Sequence, residues 1–241
     1  MPAVHAVKAG PTYKPDDVIL DVYVVERVLG TGGFNDVYLA RHKFLPRKYA
    51  VKVMRESVAR TSEDADRLRR RVEREAIVLA KFDHPNLPTL HDMRLDRGAP
   101  VLVLEYLRGM DLASVLDHTG QLEVQDTLYV GIEVAKPLYI AHRRGIVHRD
   151  IKPENIFCSA VEPPEGKAVL RLLDFGCSRF QADKRRLTGR DAIVGTLHYM
   201  APESFGNESP DQRVDVFALG LVLFECLTGM HPHLIDDRKI G

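Results

Sequence analysis

The chain has 241 residues, enough to bury a substantial core as one domain or as two small lobes. Lys and Arg together number 34, as do Asp and Glu, so the near-zero net charge gives no reason to expect nucleic acid as a partner. The three cysteines lack metal-ligand spacing, which indicates a reduced, cytoplasmic setting with the cysteines as packed residues.

The sequence contains no apolar run long enough for a signal peptide or a membrane span. Residues 1–17 hold no such run, and the longest apolar stretch, around Ala218–Phe224, is far too short. No membrane contact is therefore expected from these residues.

The N-terminal part predicts an antiparallel sheet with one helix. Met1–Asp17 is expected to be an extended or loosely held lead-in. β-branched residues and alternation predict strands over Val18–Val28, Val37–Ala40, Tyr49–Met54, Leu87–Leu95 and Val101–Tyr106.

A glycine turn, Gly30-Thr31-Gly32-Gly33, lies between the first two predicted strands. A dinucleotide-binding turn would open a helix, and a P-loop would need Gly-Lys followed by Ser or Thr, so neither fits. A flexible hairpin is one interpretation. The lysine at position 52, on a nearby strand, favours a cover over phosphate groups.

The predicted helix spans Thr61–Phe82. Its start is indicated by a capping box of Thr61 and Asp64, and apolar residues recur at helical spacing at Leu68, Val72, Ala76 and Leu79. Glu75 lies inside this stripe and needs a partner if it is buried, for which Lys52 is the candidate. A surface glutamate at the stripe edge, alongside Glu73, is the equally weighted alternative.

The second half of the chain predicts mainly helices. After a linker at Leu107–Gly109, the apolar spacing becomes helical from Leu112. Pro137 is expected to kink or split a long helix. The predicted elements are this helix at about Val124–Arg144, short strands at Ile156–Cys158 and Val169–Leu173, and a last helix at Arg213–Gly229.

Between these elements lies the stretch His148-Arg149-Asp150-Ile151-Lys152-Pro153-Glu154-Asn155, followed later by Asp174-Phe175-Gly176. It offers a carboxylate, an ammonium group and an amide, and the second motif adds another carboxylate. A carboxylate and an amide oxygen can share Mg²⁺, which leaves one aspartate free to orient a nucleophile. Phosphoryl transfer from a nucleotide requires this division of roles.

In this order the motifs resemble those of eukaryotic-type (Hanks-type) Ser/Thr protein kinases of the bacterial style. The resemblance runs from about Val18 to the C-terminus. It implies an α+β, protein-kinase-like bilobal fold, with a small antiparallel β lobe bearing one helix (18–107) and a mainly helical lobe (108–241). The implied activity is ATP- and Mg²⁺-dependent phosphorylation of Ser/Thr hydroxyls of protein substrates.

The resemblance also implies which residues contact ATP. Gly30, Gly32 and Gly33 belong to the loop over the phosphates, and Lys52 binds the α- and β-phosphates while pairing with Glu75. The remaining nucleotide contacts implied are Val37, Ala50, Leu104, Glu105, Leu107, Asp111 and Phe157.

For the chemistry, the resemblance implies that Asp150 orients the substrate hydroxyl and Lys152 neutralises the transferring phosphate. Asn155 and Asp174 are the implied Mg²⁺ ligands. The backbone of the catalytic stretch is expected to be anchored by Asp215. Lys152 and the segment Gly195–Glu203 favour Ser/Thr over Tyr as the acceptor.

Regulation is expected through the segment between the two motifs Asp174-Phe175-Gly176 and Ala201-Pro202-Glu203. Arg149, beside the catalytic aspartate, and Arg179 are placed to attract a phosphate. Thr188 is the candidate autophosphorylation site, and self-association would allow this reaction in trans. The alternative is that Lys184-Arg185-Arg186 marks only a solvated basic loop.

Two features depart from the family pattern. Asn35 replaces the third glycine of the loop; asparagine tolerates a left-handed backbone, so the turn is expected to survive, with closer approach to phosphate hindered. The sequence also ends at Gly241, before helices that family members carry. An incomplete lower lobe with exposed apolar surface and an unpaired Glu203 is therefore expected.

Two other functions compete with the kinase. A pseudokinase that binds nucleotide or acts as a scaffold is the main alternative, favoured by Asn35 and opposed by the complete catalytic set. A small-molecule phosphotransferase ranks last, because such enzymes generally lack the segment Gly195–Glu203.

Overall fold

The computed structural model describes residues 11–32, 35–55, 62–160, 168–175, 198–205 and 211–234. The chain divides into a first unit, Met1–Ala76 with Thr89–Tyr106, and a second unit, Ile77–Pro88 with Leu107–Gly241.

The first unit is built on a six-stranded antiparallel sheet with the order β1-β2-β3-β4-β6-β5. Its strands are β1 (Val18–Ile19), β2 (Tyr23–Thr31), β3 (Asn35–His42), β4 (Lys48–Met54), β5 (Leu90–Asp96) and β6 (Ala99–Glu105). The single strand predicted over Val18–Val28 is wrong, because Leu20 and Asp21 turn the chain with φ angles of 50° and 65°. The sequence gives no glycine there to signal a turn.

Alternation along the strands gives this sheet two apolar faces. One face carries Tyr38, Val51 and Val53, all buried, together with residues of β1, β2 and β6. The other face carries Met54 and Leu102, which pack against Val72 and Ala76 of helix α1 (Ser62–Lys81). The predicted helical stripe is confirmed for the buried residues Val72, Ala76 and Leu79; the side chain of Leu68 lies outside the described residues.

The expectation of a loosely held lead-in is wrong for residues 12–17. Asp16 N–H donates to the Val25 carbonyl at 2.9 Å, and Val25 N–H donates to Asp17 at 2.9 Å. Tyr13 is only 2 % exposed and belongs to the core of the first unit. A large aromatic ring gained by the core offsets the entropy of ordering this segment.

The connection that follows α1 belongs to the second unit because Asn86 ties it there. The Asn86 amide donates to Glu133 at 2.9 Å and to the Leu170 carbonyl at 2.8 Å. The backbone carbonyl of Asn86 accepts from Leu172 N–H at 2.8 Å. One buried asparagine thus replaces several backbone bonds that an irregular connection lacks.

The second unit combines a three-stranded antiparallel sheet with helices. Its elements are β7 (Gly109–Asp111), α2 (Leu112–Thr119), α3 (Val124–His142), β8 (Ile156–Ser159), β9 (Val169–Leu172) and α4 (Arg213–Thr228), with the sheet order β7-β8-β9. Asp111 caps α2 by accepting from Ser114 N–H at 2.7 Å. Gly109 has a φ of 140°, and a Cβ there would lie 2.0 Å from the Cys158 carbonyl oxygen.

Helix α3 runs through Pro137 without interruption, so a split helix is wrong. Proline removes one backbone hydrogen bond, but Val134, Leu138 and Ala141 are buried on both sides of it and hold the two halves together. Helix α4 buries Val214, Ala218, Val222 and Cys226 at a spacing of four. Within the described residues, no helix is both long and apolar enough to cross a membrane.

Apolar side chains also remain exposed on the second unit. Val216 is 63 % exposed on α4, and Leu128 and Ile132 are 61 % and 56 % exposed on α3.

Candidate active site

Lys52 and Glu75 form a buried ion pair in the first unit. The Lys52 Nζ lies 2.8 and 3.0 Å from the two carboxylate oxygens of Glu75, and the residues are 5 % and 2 % exposed. Lys52 reaches the face bearing α1 because it alternates with Val51 and Val53 on β4. This geometry excludes a surface role for Glu75, since a buried carboxylate requires a partner of opposite charge.

Three apolar residues predicted to contact the nucleotide share the Lys52 face of the sheet. Val37 on β3 lies opposite Lys52, and Ala50 on β4 lies opposite Leu104 on β6. Residues directly opposite on neighbouring strands point to the same side of a sheet. The first unit therefore presents a half-buried apolar surface next to an ammonium group, a combination that suits a flat base with phosphates.

The glycine turn connects β2 and β3 above this face. Gly30 pairs with Val37, and Gly32 N–H donates to the Asn35 carbonyl at 2.8 Å. A Cβ on Gly32 would lie 3.3 Å from that carbonyl, tighter than most contacts allow. Gly33 lies outside the described residues.

Asn35 begins β3, opposite Met54, and its φ is not positive. The expected reason for its tolerance, a left-handed backbone, is therefore wrong; Asn35 occupies an ordinary strand position. Its side-chain oxygen is buried and has no hydrogen-bond partner among the described residues.

Asp150, Lys152 and Asn155 converge in the second unit. The Asn155 Nδ2 donates to the Asp150 carbonyl at 2.7 Å and to its Oδ2 at 2.9 Å, and the Lys152 Nζ lies 3.2 Å from the same Oδ2. A short 3-10 turn at Pro153–Asn155 brings the amide back towards the carboxylate. The arrangement fixes one carboxylate oxygen between an ammonium and an amide.

Asp215, fully buried in the first turn of α4, holds the backbone of this loop. It accepts from His148 N–H at 2.8 Å and from Arg149 N–H at 2.7 Å, and the His142 Nε2 lies 2.7 Å away. Arg149 has a φ of 64°, which turns two successive N–H groups towards one carboxylate. The predicted anchoring role of Asp215 is confirmed by this geometry.

Asp174 follows β9, and its neighbour Leu173 is hydrogen-bonded to the loop His148–Asn155. Leu173 N–H donates to the Asn155 carbonyl at 2.8 Å, and the Leu173 carbonyl lies 2.9 Å from the His148 Nε2. The Phe175 ring is fully buried with its centroid 4.7 Å from that of His148. Asn155 and Asp174, the two predicted Mg²⁺ ligands, thus lie on segments that are bonded to each other.

The donor set at Asn155 and Asp174 fits Mg²⁺. Both hydrogen bonds from the Asn155 side chain use Nδ2, so they leave its amide oxygen for a hard cation. Asp174 supplies a carboxylate, and its φ of 57° sets the direction of that side chain. No group of three or more His, Cys, Asp or Glu side chains suited to a metal occurs in the described part of the chain.

The remaining predicted residues fall in both units. Asp111 lies opposite Phe157 in the β7–β8 ladder of the second unit, where Leu107 is half-buried. Glu105 ends β6 in the first unit and accepts from Thr89 N–H at 3.3 Å. Thr188 and Arg179 lie outside the described residues.

One buried charged residue beside the glycine turn escaped prediction. Asp36 is fully buried, although it occupies a variable position of the glycine motif. The alternation of side chains along β3 could have predicted this burial, because it places Asp36 on the opposite face of the sheet from Val37.

The chain matches the protein kinase domain over residues 23–240. It is 35 % identical to serine/threonine-protein kinase PknB of Mycobacterium leprae over 221 residues, 90 % of this chain and 34 % of the relative. It is 38 % identical to PknJ of Mycobacterium tuberculosis over 210 residues, 87 % of this chain and 34 % of the relative. PknE of Mycobacterium bovis is 35 % identical over 218 residues, 90 % of this chain and 37 % of that protein. The chain spans about a third of the length of these relatives.

The chain therefore belongs to the protein kinase family. Its relatives confirm the resemblance to the Ser/Thr kinases of bacteria. The α+β kinase fold expected from the sequence is confirmed by the same match.

Replacing Asp215 with alanine should destabilise the protein. The backbone N–H groups of His148 and Arg149 would lose their acceptor, at about 1–3 kcal/mol each, so the free energy of unfolding in urea should fall by about 2–6 kcal/mol. Asp117→Ala, at an exposed aspartate on α2, is the matched control and should change stability little. Equal losses in the two variants would contradict the anchoring role.

The described cysteines should react slowly with iodoacetamide. Burial, with Asp111 nearby, raises the pKa of Cys158 to about 11, and burial raises that of Cys226 to about 12. Because only the thiolate reacts, labelling of Cys158 at neutral pH should be roughly 100-fold slower than that of a free cysteine, and should accelerate as the pH rises towards 11. Mass spectrometry of each cysteine, with the urea-unfolded chain as control, measures this; labelling at the free rate would refute it.

Proposed function

We propose that the chain transfers the γ-phosphate of ATP to Ser or Thr hydroxyls of proteins, with Mg²⁺ as cofactor. The observation that carries the proposal is the Asp150–Lys152–Asn155 cluster, in which one carboxylate is held between an ammonium and an amide. The family match and the relatives named as serine/threonine-protein kinases support the same activity.

Asp150 serves as the group that orients the attacking hydroxyl and accepts its proton. Its Oδ2 is held by Asn155 and Lys152, so the carboxylate has a defined direction before a substrate arrives. As the substrate oxygen bonds to the γ-phosphorus, the bond to the β,γ-bridging oxygen breaks and ADP leaves with that electron pair. Lys152 lies close enough to Asp150 to neutralise charge on the transferring group.

Asn155 and Asp174 are the proposed ligands of Mg²⁺, which when bound neutralises the phosphate oxygens. Lys52 binds the α- and β-phosphates, and Glu75 directs its ammonium group. A lysine without this carboxylate would not be held in one rotamer.

The resemblance to the family suggests the residues that contact the nucleotide. The proposed apolar contacts of adenine are Val37, Ala50 and Leu104, and Phe157 is a further proposed contact. The other contacts proposed are backbone groups of Glu105 and Leu107, the ribose-binding carboxylate of Asp111, and the loop glycines Gly30, Gly32 and Gly33.

Replacing Asp150 with asparagine should lower phosphate transfer by about 10²–10⁴-fold, because a positioned base contributes that much. Lys52→Met should also lower it, since the phosphates lose their cation and the buried Glu75 carboxylate loses the ammonium group to which it is bonded. Incorporation of radiolabelled phosphate from ATP into a generic protein substrate measures both effects.

Matched substitutions at exposed sites separate chemistry from charge. Asp126→Asn on α3 and Lys48→Met on β4 remove the same groups at the surface and should keep near wild-type activity. If wild type and Asp150→Asn were equally inert while ATP still bound, the chain would be a nucleotide-binding or scaffolding module, the alternative that Asn35 favours.

We further propose that phosphorylation of Thr188 controls the activity. Arg149 precedes Asp150 directly, so a phosphate held by the guanidinium groups of Arg149 and Arg179 would act next to the catalytic carboxylate. A phosphate adds about −1.5 to −2 charges and strong acceptors for such groups. Because the chain spans about a third of the length of its relatives, the activity and substrates of a whole protein that contains it are likewise proposed and not shown.

Incubation with ATP and Mg²⁺ should yield protein phosphorylated at Thr188, detected by mass spectrometry of the intact chain and its peptides. Thr188→Ala should lower activity, whereas Thr119→Ala, at the end of α2, should not. A rate of modification per molecule that rises with protein concentration is expected for transfer between two copies. Active protein with unmodified Thr188 would contradict the proposal.

A further inference from the structure

Asp36 is a fully buried carboxylate at the base of the glycine turn. It pairs with Thr31 across the β2–β3 hairpin and directly follows Asn35, whose carbonyl closes the turn with Gly32. Its side chain points away from the face of Val37. The proposed mechanism assigns it no role.

Both oxygens of Asp36 are occupied by donors from separate parts of the first unit. Arg55, just after β4, donates to Oδ1 through Nε and Nη2, each at 2.6 Å. Oδ2 accepts from Tyr38 Oη at 3.1 Å, from Thr12 N–H at 3.1 Å and from Thr12 Oγ1 at 3.3 Å. Burial alone raises the pKa of Asp36, but the bonds from Arg55, Thr12 and Tyr38 outweigh it and hold the pKa below its usual range.

The N-terminal strap, defined as Thr12–Asp17, reaches this carboxylate across the sheet. Tyr13 N–H donates to Tyr38 Oη at 3.1 Å, and the Tyr13 hydroxyl donates to Asp96 on β5 at 2.7 Å. The Tyr13 and Tyr38 rings meet edge to face at 5.8 Å. The strap is thus bonded to three strands of the sheet, β2, β3 and β5.

The hairpin ladder alone does not fix the glycine turn. The β2–β3 register shifts between Val25 and Arg27 and again between Val28 and Gly30, immediately before the turn. Such irregularities interrupt the ladder and weaken the definition of register. Beyond the second shift, the β3–β4 ladder pairs Asp36 with Val53. The Asp36 side chain adds bonds to Arg55 and Thr12, which also lie outside the hairpin.

We propose that Asp36 is a positioning residue that, through the N-terminal strap and Arg55, holds the glycine turn in place for the phosphates of ATP. This inference rests on the proposed function, because it assigns the turn to nucleotide binding. The strap then supports nucleotide binding through its bonds to Asp36 and Tyr38.

Kinetics separates positioning from general stability. Asp36→Asn should raise KM for ATP about tenfold, because it loses a charge-assisted hydrogen bond, while KM for the protein substrate stays unchanged. Thr12→Val should raise KM for ATP about threefold, and Thr12→Ser, which keeps the hydroxyl, should restore the wild-type value. Lys14→Ala, an exposed change within the strap, is the matched control and should behave as wild type.

Hydrogen–deuterium exchange without nucleotide tests the turn independently of catalysis. Asp36→Asn and Thr12→Val should accelerate amide exchange in a peptide covering Gly30–Val37 and leave β5 and β6 unchanged. Unchanged exchange at the turn, or a rise in both KM values together, would overturn the inference. A wild-type chain that transfers no phosphate would overturn the proposed function, whereas the exchange result would still decide whether Asp36 fixes the turn. If Asp36→Asn fails to fold, the Thr12 pair decides.

Discussion

The loop His148–Asn155 depends on one carboxylate, that of Asp215 in the first turn of α4. Asp215 accepts from two successive backbone N–H groups, those of His148 and Arg149, and this convergence requires the left-handed backbone of Arg149. A non-glycine residue in that conformation costs about 1–3 kcal/mol, and two buried bonds to a carboxylate offset such a cost. Because Asp150 is the next residue, the backbone conformation of Arg149 also sets the direction in which the Asp150 side chain points.

Buried charge recurs as the organising device of both units, and in each case it is fully partnered. In the first unit, two ion pairs fix neighbouring segments, Lys52 with Glu75 and Asp36 with Arg55. In the second unit, the Asp215 carboxylate fixes a loop through backbone N–H groups. Breaking such a pair is costly, because an unpaired charge stays behind in a medium that solvates it poorly. Charged pairs also select one geometry among many that an apolar core would accept. The residues that we propose bind or react are thus held by neighbours that are themselves fixed by hydrogen bonds.

The resemblance to the kinase family predicted two of the buried contacts and missed others. It predicted the Lys52–Glu75 pair and the anchoring role of Asp215, and the structure shows both contacts. The strap was missed since its order comes from contacts with Tyr38 and Asp96, far away in sequence. The turn at Leu20 had no glycine to announce it, and the continuity of α3 through Pro137 depends on tertiary packing that a local rule cannot weigh.

Glycine usually makes a chain more flexible, but Gly109 allows a close backbone contact that restricts the chain. The linker predicted at Leu107–Gly109 would ordinarily be regarded as a flexible joint. Here the absent side chain lets the backbone lie against the Cys158 carbonyl, and Ala160 N–H donates to the Arg108 carbonyl at 2.7 Å. Asp111, the cap of α2, follows two residues later, so displacement of the linker would also displace the Asp111 carboxylate and the start of α2. Gly109 therefore holds the linker against β8, and lengthening the linker at this point would disrupt the pairing of β7 with β8 instead of making the connection more flexible.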